Sequence, residues 1–330
     1  MTTPRQPIEG LWLPLVTPMR DGGLDETSLA RLVRHYLGQP VDGLILAATT
    51  GEGMTLDGAE TERLCKVAAA EVRGRMPLFL GLAGADTRAL VATVERTRRW
   101  PIDGYLVSSP CYVRPSQEGL HRHFAMLAAA TERPLMVYNI PYRTGVNIAN
   151  DTLLRLAEID TIVGLKDCGT DPGQSAELLR ARPDGFAVLT GEDARFHDAL
   201  AQGADGGILA SAHVETARFA GMRAAVAVGD HRAALALWRD LEHLAPLLFA
   251  EPSPAPVKHM LWRQGLIASA EVRLPITPVS DGLARRLDAE VVRLGRLGRP
   301  CSDLRHPVEN RDPARPGAEA AAPGPRFSPG

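Results

Sequence analysis

Short apolar runs alternate with longer stretches of helical period through the first two-thirds of the chain. The runs lie at 11–16 (LWLPLV), 43–47 (GLILA), 78–82 (LFLGL) and 104–108 (GYLVS). Further runs close on Tyr138 and on Lys166, and the last two occupy 186–190 (FAVLT) and 206–210 (GGILA). Each is short enough for a buried strand, and Pro14 is tolerated at a strand edge or bulge. A helical pattern capped by Asp25 follows the first run. Others cover 59–73, 86–99, 116–131, 150–158, 173–181 and 193–202. Eight apolar runs, seven intervening helices and no hairpin signal predict parallel strands joined by crossovers. Stopping at eight favours a closed (β/α)8 TIM barrel, an α/β fold, over an open sheet. No GxGxxG follows the first run, which counts against dinucleotide binding.

Beyond Ala212 the pattern is helical, at 214–228, 230–249, 255–265 and 280–294, broken at EPSPAP and RLPITP. The expected organisation is a barrel over 8–228, an appended C-terminal helical region over 229–295 and a disordered tail over 296–330. The tail's Pro, Ala, Gly, Arg and Glu leave little to pack.

At 330 residues, 45% hydrophobic, the chain can bury a large core. A formal charge of −2 gives no electrostatic case for nucleic acid or an anionic membrane. Cys65, Cys111, Cys168 and Cys301 are too scattered to ligate a metal and read as reduced thiols. No apolar leader or membrane-length run is present, so the expected setting is the cytoplasm.

In such a barrel, reactive groups gather where strands end. Those positions hold Thr17, then Thr49-Thr50-Gly51-Glu52, then Tyr112 with Arg114. Tyr138, Asn139 and Arg143 follow the fifth strand, Lys166 ends the sixth, and Gly191-Glu192-Asp193 follow the seventh. An amine, two phenols, two adjacent hydroxyls and a guanidinium suit an oxo-acid substrate. At an ordinary lysine pKa, about one amine in 2,500 is neutral at pH 7. Burial at a strand end lowers that pKa and makes the nucleophile a Schiff base needs. Each residue also has a plainer reading. Lys166 reaches a carboxylate such as Asp167, Tyr138 is a core aromatic, Arg143 is a solvated charge, and the Thr-Thr-Gly stretch is an ordinary turn. Asp193 reads as a helix N-cap. His121, His123, His197 and His213 lack triad or metal spacing and read as structural.

Several motifs in order carry a family resemblance: ATTGEG (48–53), SPCYVRPSQEGLHRHF (109–124), YNIPYRTG (138–145) and GLKDCGT (164–170). LTGEDA (189–194), EPSPAPVK (251–258) and RLPITPVSD (273–281) continue it. Over about 8–295 the chain resembles the pyruvate-dependent class I aldolase and lyase family that includes N-acetylneuraminate lyase. Within it, the match is nearest to the branch condensing pyruvate with L-aspartate 4-semialdehyde. The resemblance implies Lys166 as Schiff-base lysine and Tyr138 as proton carrier, linked to Thr49 and to Tyr112 from a neighbouring subunit. It also implies Thr50 on the pyruvate carboxylate, Ile208 and Gly191 beside the substrate, and Arg143 on the second substrate's carboxylate. The implied partners are small molecules and further copies of the chain, as a homotetramer or homodimer, with no metal and no cofactor. Arg143-Thr144 stands where sialic acid lyases usually carry leucine-serine. Ala48, Gly53, Cys111 and Tyr142 depart from the usual synthase pattern, so a paralogous aldolase or dehydratase acting on another aldehyde or sugar-derived keto acid is the alternative. An idle barrel kept for binding is a third. In lysine-inhibited members the effector is held by polar side chains at positions occupied here by Gly53, Gly58, Thr61, Ala85, Ala89 and Cys111, which implies weak or absent feedback.

Overall fold

The structure, a computed structural model, describes residues 8–297. Eight strands close a parallel barrel in chain order: β1 (Gly10–Pro14), β2 (Gly43–Leu46), β3 (Leu78–Leu82), β4 (Gly104–Ser108), β5 (Leu135–Asn139), β6 (Ile162–Asp167), β7 (Ala187–Thr190) and β8 (Gly206–Ile208). β1 pairs with both β2 and β8, so no sheet edge is left open. The helices between them are α1 (Glu26–Leu37), α2 (Gly58–Val72), α3 (Thr87–Thr97), α4 (Gln117–Ala129), α5 (Asn150–Ala157), α6 (Pro172–Ala181) and α7 (Phe196–Ala201). The expected (β/α)8 barrel is therefore what forms.

Three strands end earlier than their apolar runs, and the backbone explains each. Val16 leaves the β1 ladder because its N–H donates to His213 Nε2. β2 stops before Ala47, whose φ of 53° cannot continue a strand. After Ile208 the chain turns into a 3-10 segment over Ser211–His213. The sequence carries one hairpin that its apolar pattern does not reveal. Met19–Arg20 pairs antiparallel with Gly23–Leu24 across Asp21-Gly22, both at positive φ, the backbone of a tight Asp-Gly turn.

The N-terminal end of the barrel is built on a repeated dipeptide. Asp42-Gly43, Asp103-Gly104 and Asp205-Gly206 open β2, β4 and β8. Each carboxylate accepts the N–H of a residue in the preceding strand: Leu11 (2.7 Å), Leu78 (2.8 Å) and Val188 (2.7 Å). Charge-assisted bonds of this kind fix where one strand starts against the next. The first two glycines also make room for aromatic rings. A Cβ on Gly43 would lie 2.3 Å from the Trp12 ring, and one on Gly104 would lie 2.5 Å from Phe79. Those two rings meet edge to face inside the barrel, 5.0 Å between centroids.

α8 (Thr216–Ala227) follows β8 as the barrel's eighth helix, and past it come α9 (His231–Leu241), α10 (Leu244–Leu248), α11 (Ala255–Arg263) and α12 (Asp281–Arg296). The helix expected over 230–249 is two helices. Pro246 lacks an N–H and crowds the carbonyl four residues back, so α9 cannot run on. α12 continues to Arg296, and the remainder of the expected tail, 298–330, lies outside the described residues.

Candidate active site

Lys166 and Tyr138 are register partners on β6 and β5. That pairing depends on an irregularity lower in the ladder. Leu135 faces Ile162, but Met136 faces Gly164, a one-residue slip. Without it Lys166 would face Asn139, because a slip of one exchanges the two faces of a strand.

Lys166 is only 5% exposed, and its Nζ sits 4.4 Å from the centre of the Tyr138 ring. The Nζ has no hydrogen-bond or ion-pair partner among the described residues. Asp167 is not its counter-ion, since that carboxylate accepts from Gly169 N–H (2.9 Å) and Ser175 Oγ (2.6 Å). Burial pulls the ammonium below the ordinary lysine range, against the opposing influence of Cys168, Asp193 and Glu192. Burial also pushes the Tyr138 phenol well up, with Cys168 and Tyr142 acting in the same direction. At neutral pH the pair is thus a proton-bearing phenol beside an amine whose charged form is disfavoured. The Cys168 thiol donates to the Tyr138 hydroxyl at 3.9 Å.

Gly191 makes room for that lysine. A Cβ there would lie 2.4 Å from Cys168 Sγ and 2.5 Å from Lys166 Cε. The Thr49-Thr50-Gly51-Glu52 turn lies at the same end of the barrel. Thr17 Oγ donates to Gly51 O (2.6 Å), and Glu52 adopts a left-handed conformation at φ 54°. Gly53 is obligatory in this backbone, because a Cβ would come within 1.8 Å of Ala47 O. Thr50 is buried, Thr49 half-buried.

Two cavities open at the mouth. One of about 360 Å³ is lined by Thr49, Tyr138, Arg143 and Ser253 among others. The other, about 510 Å³, is bounded by Tyr142, Arg143, Gly191, Glu192, Asp193 and Ser253 with neighbours. Arg143 and Ser253 border both. Lys166, Thr50 and Ile208 are buried and border neither. Tyr112 also borders neither; it is 93% exposed and held at φ 71° on its loop.

Asp193 is not the helix cap its sequence position suggests. It is buried, and its carboxylate reaches across to the N–H of Ser211 in the loop after β8. Burial raises its pKa to about 6, opposed by that hydrogen bond and by Lys166. The reading of His213 as structural fits its contacts: Nδ1 meets Ala210 O, Nε2 accepts from Val16, and burial lowers its pKa to about 4. His123 is buried, with Nδ1 on Thr87 Oγ. Among the described residues no His, Cys, Asp and Glu cluster could hold a metal ion.

Neither the strand-end pattern nor the motifs give Lys258 or Arg273 a role, and Glu52 enters only as the last residue of the turn after β2. Glu52 and Lys258 form a wholly buried ion pair, and Arg273 N–H donates to the second Glu52 oxygen (2.9 Å). The Arg273 guanidinium forks onto Glu60, whose pKa falls to about 2 chiefly through that hydrogen bond. A lysine between Pro-Val and His-Met on a helix was the available sign that Lys258 is buried.

The Dihydrodipicolinate synthetase family model matches residues 7–293. The 4-hydroxy-tetrahydrodipicolinate synthase 2 of Clostridium acetobutylicum is 41% identical over 281 residues, 85% of this chain and 98% of that relative. The crystal structure of dihydrodipicolinate synthase from Aquifex aeolicus superposes with a TM-score of 0.84 at 32% identity, over 88% of this chain and 99% of that one. The chloride-inhibited dihydrodipicolinate synthase of Acinetobacter baumannii, complexed with pyruvate, gives 0.83 at 34% identity, over 87% and 98%. With the match spanning the barrel and the helices after it, this chain belongs to the dihydrodipicolinate synthetase family.

Proposed function

We propose that the chain is a class I lyase that condenses pyruvate with L-aspartate 4-semialdehyde, giving 4-hydroxy-tetrahydrodipicolinate through a Schiff base on Lys166. The observation that carries this is a buried lysine with no hydrogen-bond or ion-pair partner among the described residues, side by side with a tyrosine whose phenol is held protonated by burial. Neutral Lys166 attacks the pyruvate ketone, and Tyr138 carries protons while the carbinolamine loses water to become an imine. Loss of a methyl proton gives an enamine, the protonated imine serving as electron sink. The enamine attacks the aldehyde, and the amine of the second substrate then closes the ring and frees Lys166. Thr50 holds the pyruvate carboxylate, Ile208 and Gly191 line the adduct, and Arg143 holds the carboxylate of the aldehyde. Burial of the lysine and an arginine at the mouth of both cavities support these roles.

Tyr112 serves the site of a second copy, joined to Thr49 and Tyr138 there, so the working unit is a homodimer or homotetramer. Its exposure on a constrained loop supports this. The setting is cytoplasmic; no helix among the described residues is long and apolar enough to cross a membrane.

Pyruvate and borohydride, followed by mass analysis of tryptic peptides, test the chemistry. The chain has three lysines, Lys66, Lys166 and Lys258, so the modified site is read without ambiguity. A reduced adduct on Lys166 is expected, and its absence refutes the reading. Turnover with aspartate semialdehyde should exceed that with a panel of sugar aldehydes; the reverse order would favour a sugar-directed paralogue.

A further inference from the structure

Of 37 basic side chains only three are lysine, so arginine serves almost everywhere else. Lys66 is a surface residue paired with Glu62 one turn away. Lys166 is the proposed nucleophile. Lys258, on α11 beyond the barrel, is as fully buried as any residue in the core. Its ammonium is held by the Glu52 carboxylate and by Glu271 O (2.8 Å).

Glu52 directly follows the Thr49-Thr50-Gly51 turn. Its left-handed backbone is one that a residue with a side chain keeps only when its surroundings enforce it. Both carboxylate oxygens are committed, one to Lys258 and the other to Arg273 N–H. Thr17 also holds the turn, donating its hydroxyl to Gly51 O. Burying two charges brings little net stability even when they are paired, so such a pair is better understood through what it orients. It also neutralises a carboxylate two residues from Thr50, which would otherwise repel an incoming anion.

We propose that Lys258 and Glu52 are positioning residues, which lock the Thr49-Thr50-Gly51 turn in the geometry that receives the pyruvate carboxylate. This makes the helical region after the barrel part of the substrate-binding apparatus. The inference rests on the functional reading above.

The double variant Glu52→Gln/Lys258→Met removes both charges while keeping side-chain length. It is expected to stay folded, with a melting temperature within a few degrees of the parent. The pyruvate concentration for half-maximal borohydride trapping on Lys166 should rise tenfold or more. Trapping at saturating pyruvate should reach the parental extent, and KM for the aldehyde should change less than threefold. Should the double variant not fold, Glu52→Gln alone keeps the Arg273 bond and should raise half-saturation at least threefold. A folded variant with parental half-saturation overturns the proposal, as does a fall in kcat with unchanged pyruvate KM. If neither variant folds, the pair is a folding element and the proposal fails. If the unmodified protein traps no pyruvate, the functional reading falls and takes this inference with it. If it does trap pyruvate, only the role of the pair is at stake.

Discussion

The Nζ of Lys166 stands 4.4 Å from the centre of the Tyr138 ring, on directly paired positions of adjacent strands. The ring face favours a cation while the burial disfavours one. The ring and the hydroxyl of Tyr138 therefore have separable duties. Tyr138→Phe keeps the ring and loses the proton carrier. The variant should still trap pyruvate on Lys166 with borohydride, while kcat falls ~10²–10⁴-fold. Parental kcat in stopped assays would remove Tyr138 from the mechanism.

Gly191→Ala should damage catalysis without adding or removing any titrating group. The added methyl overlaps Lys166 Cε and Cys168 Sγ, so the lysine must shift. A displacement near 1 Å costs on the order of 10²-fold in rate. Trapping kinetics and kcat should both fall by about that factor, and circular dichroism should be unchanged.

Asp193 carries a sign that can be checked against pH. Its folded pKa of about 6 lies above the 3.8 of an unperturbed aspartate. A raised pKa contributes stability that is complete below the unfolded value and is lost as pH rises through the folded value. Asp193→Asn should therefore gain on the parent in urea unfolding between those two pH values. The gain is on the order of 2–3 kcal/mol. A constant difference across that window would show that Asp193 titrates normally.

The Asp-Gly clamps should matter for stability and little for turnover, because they lie at the end of the barrel away from the chemistry. Asp103→Ala removes the acceptor for Leu78 N–H. The expected loss in unfolding free energy is about 1–3 kcal/mol, with KM and kcat within twofold of the parent. Asp205→Ala should cost more, since it also removes the carboxylate partner of Arg182 and leaves that guanidinium only the carbonyls of Phe186 and Gly203.

Lysine feedback should be weak. Gly53, Gly58 and Thr61 border the smaller cavity, and Gly53 leaves no space for a polar side chain. Activity should persist at millimolar lysine, and strong inhibition below that range would refute the expectation.

The architecture was legible because a buried parallel strand and an amphipathic helix imprint different periods on the chain. The runs at 78–82 and 104–108 coincide with β3 and β4 to the residue. The misses occurred where one or two residues override the pattern: Ala47 in a left-handed conformation, Pro246 inside a helical stretch, and Asp21-Gly22 making a turn too short to show periodicity. Lys166, Tyr138 and Gly191 could be singled out because strand ends in a barrel converge at one mouth.

By itself the sequence determined the barrel and the family and singled out Lys166 as the candidate amine, since these follow from local periodicity and from motifs along the chain. Only the tertiary structure decided that Lys166 faces Tyr138 and not Asn139, because that depends on a one-residue slip between β5 and β6. It alone decided that Glu52 meets Lys258, and that Asp193 spans to Ser211. Each partner is far away in sequence, and a charge has no periodicity to announce which distant group will neutralise it once water is excluded.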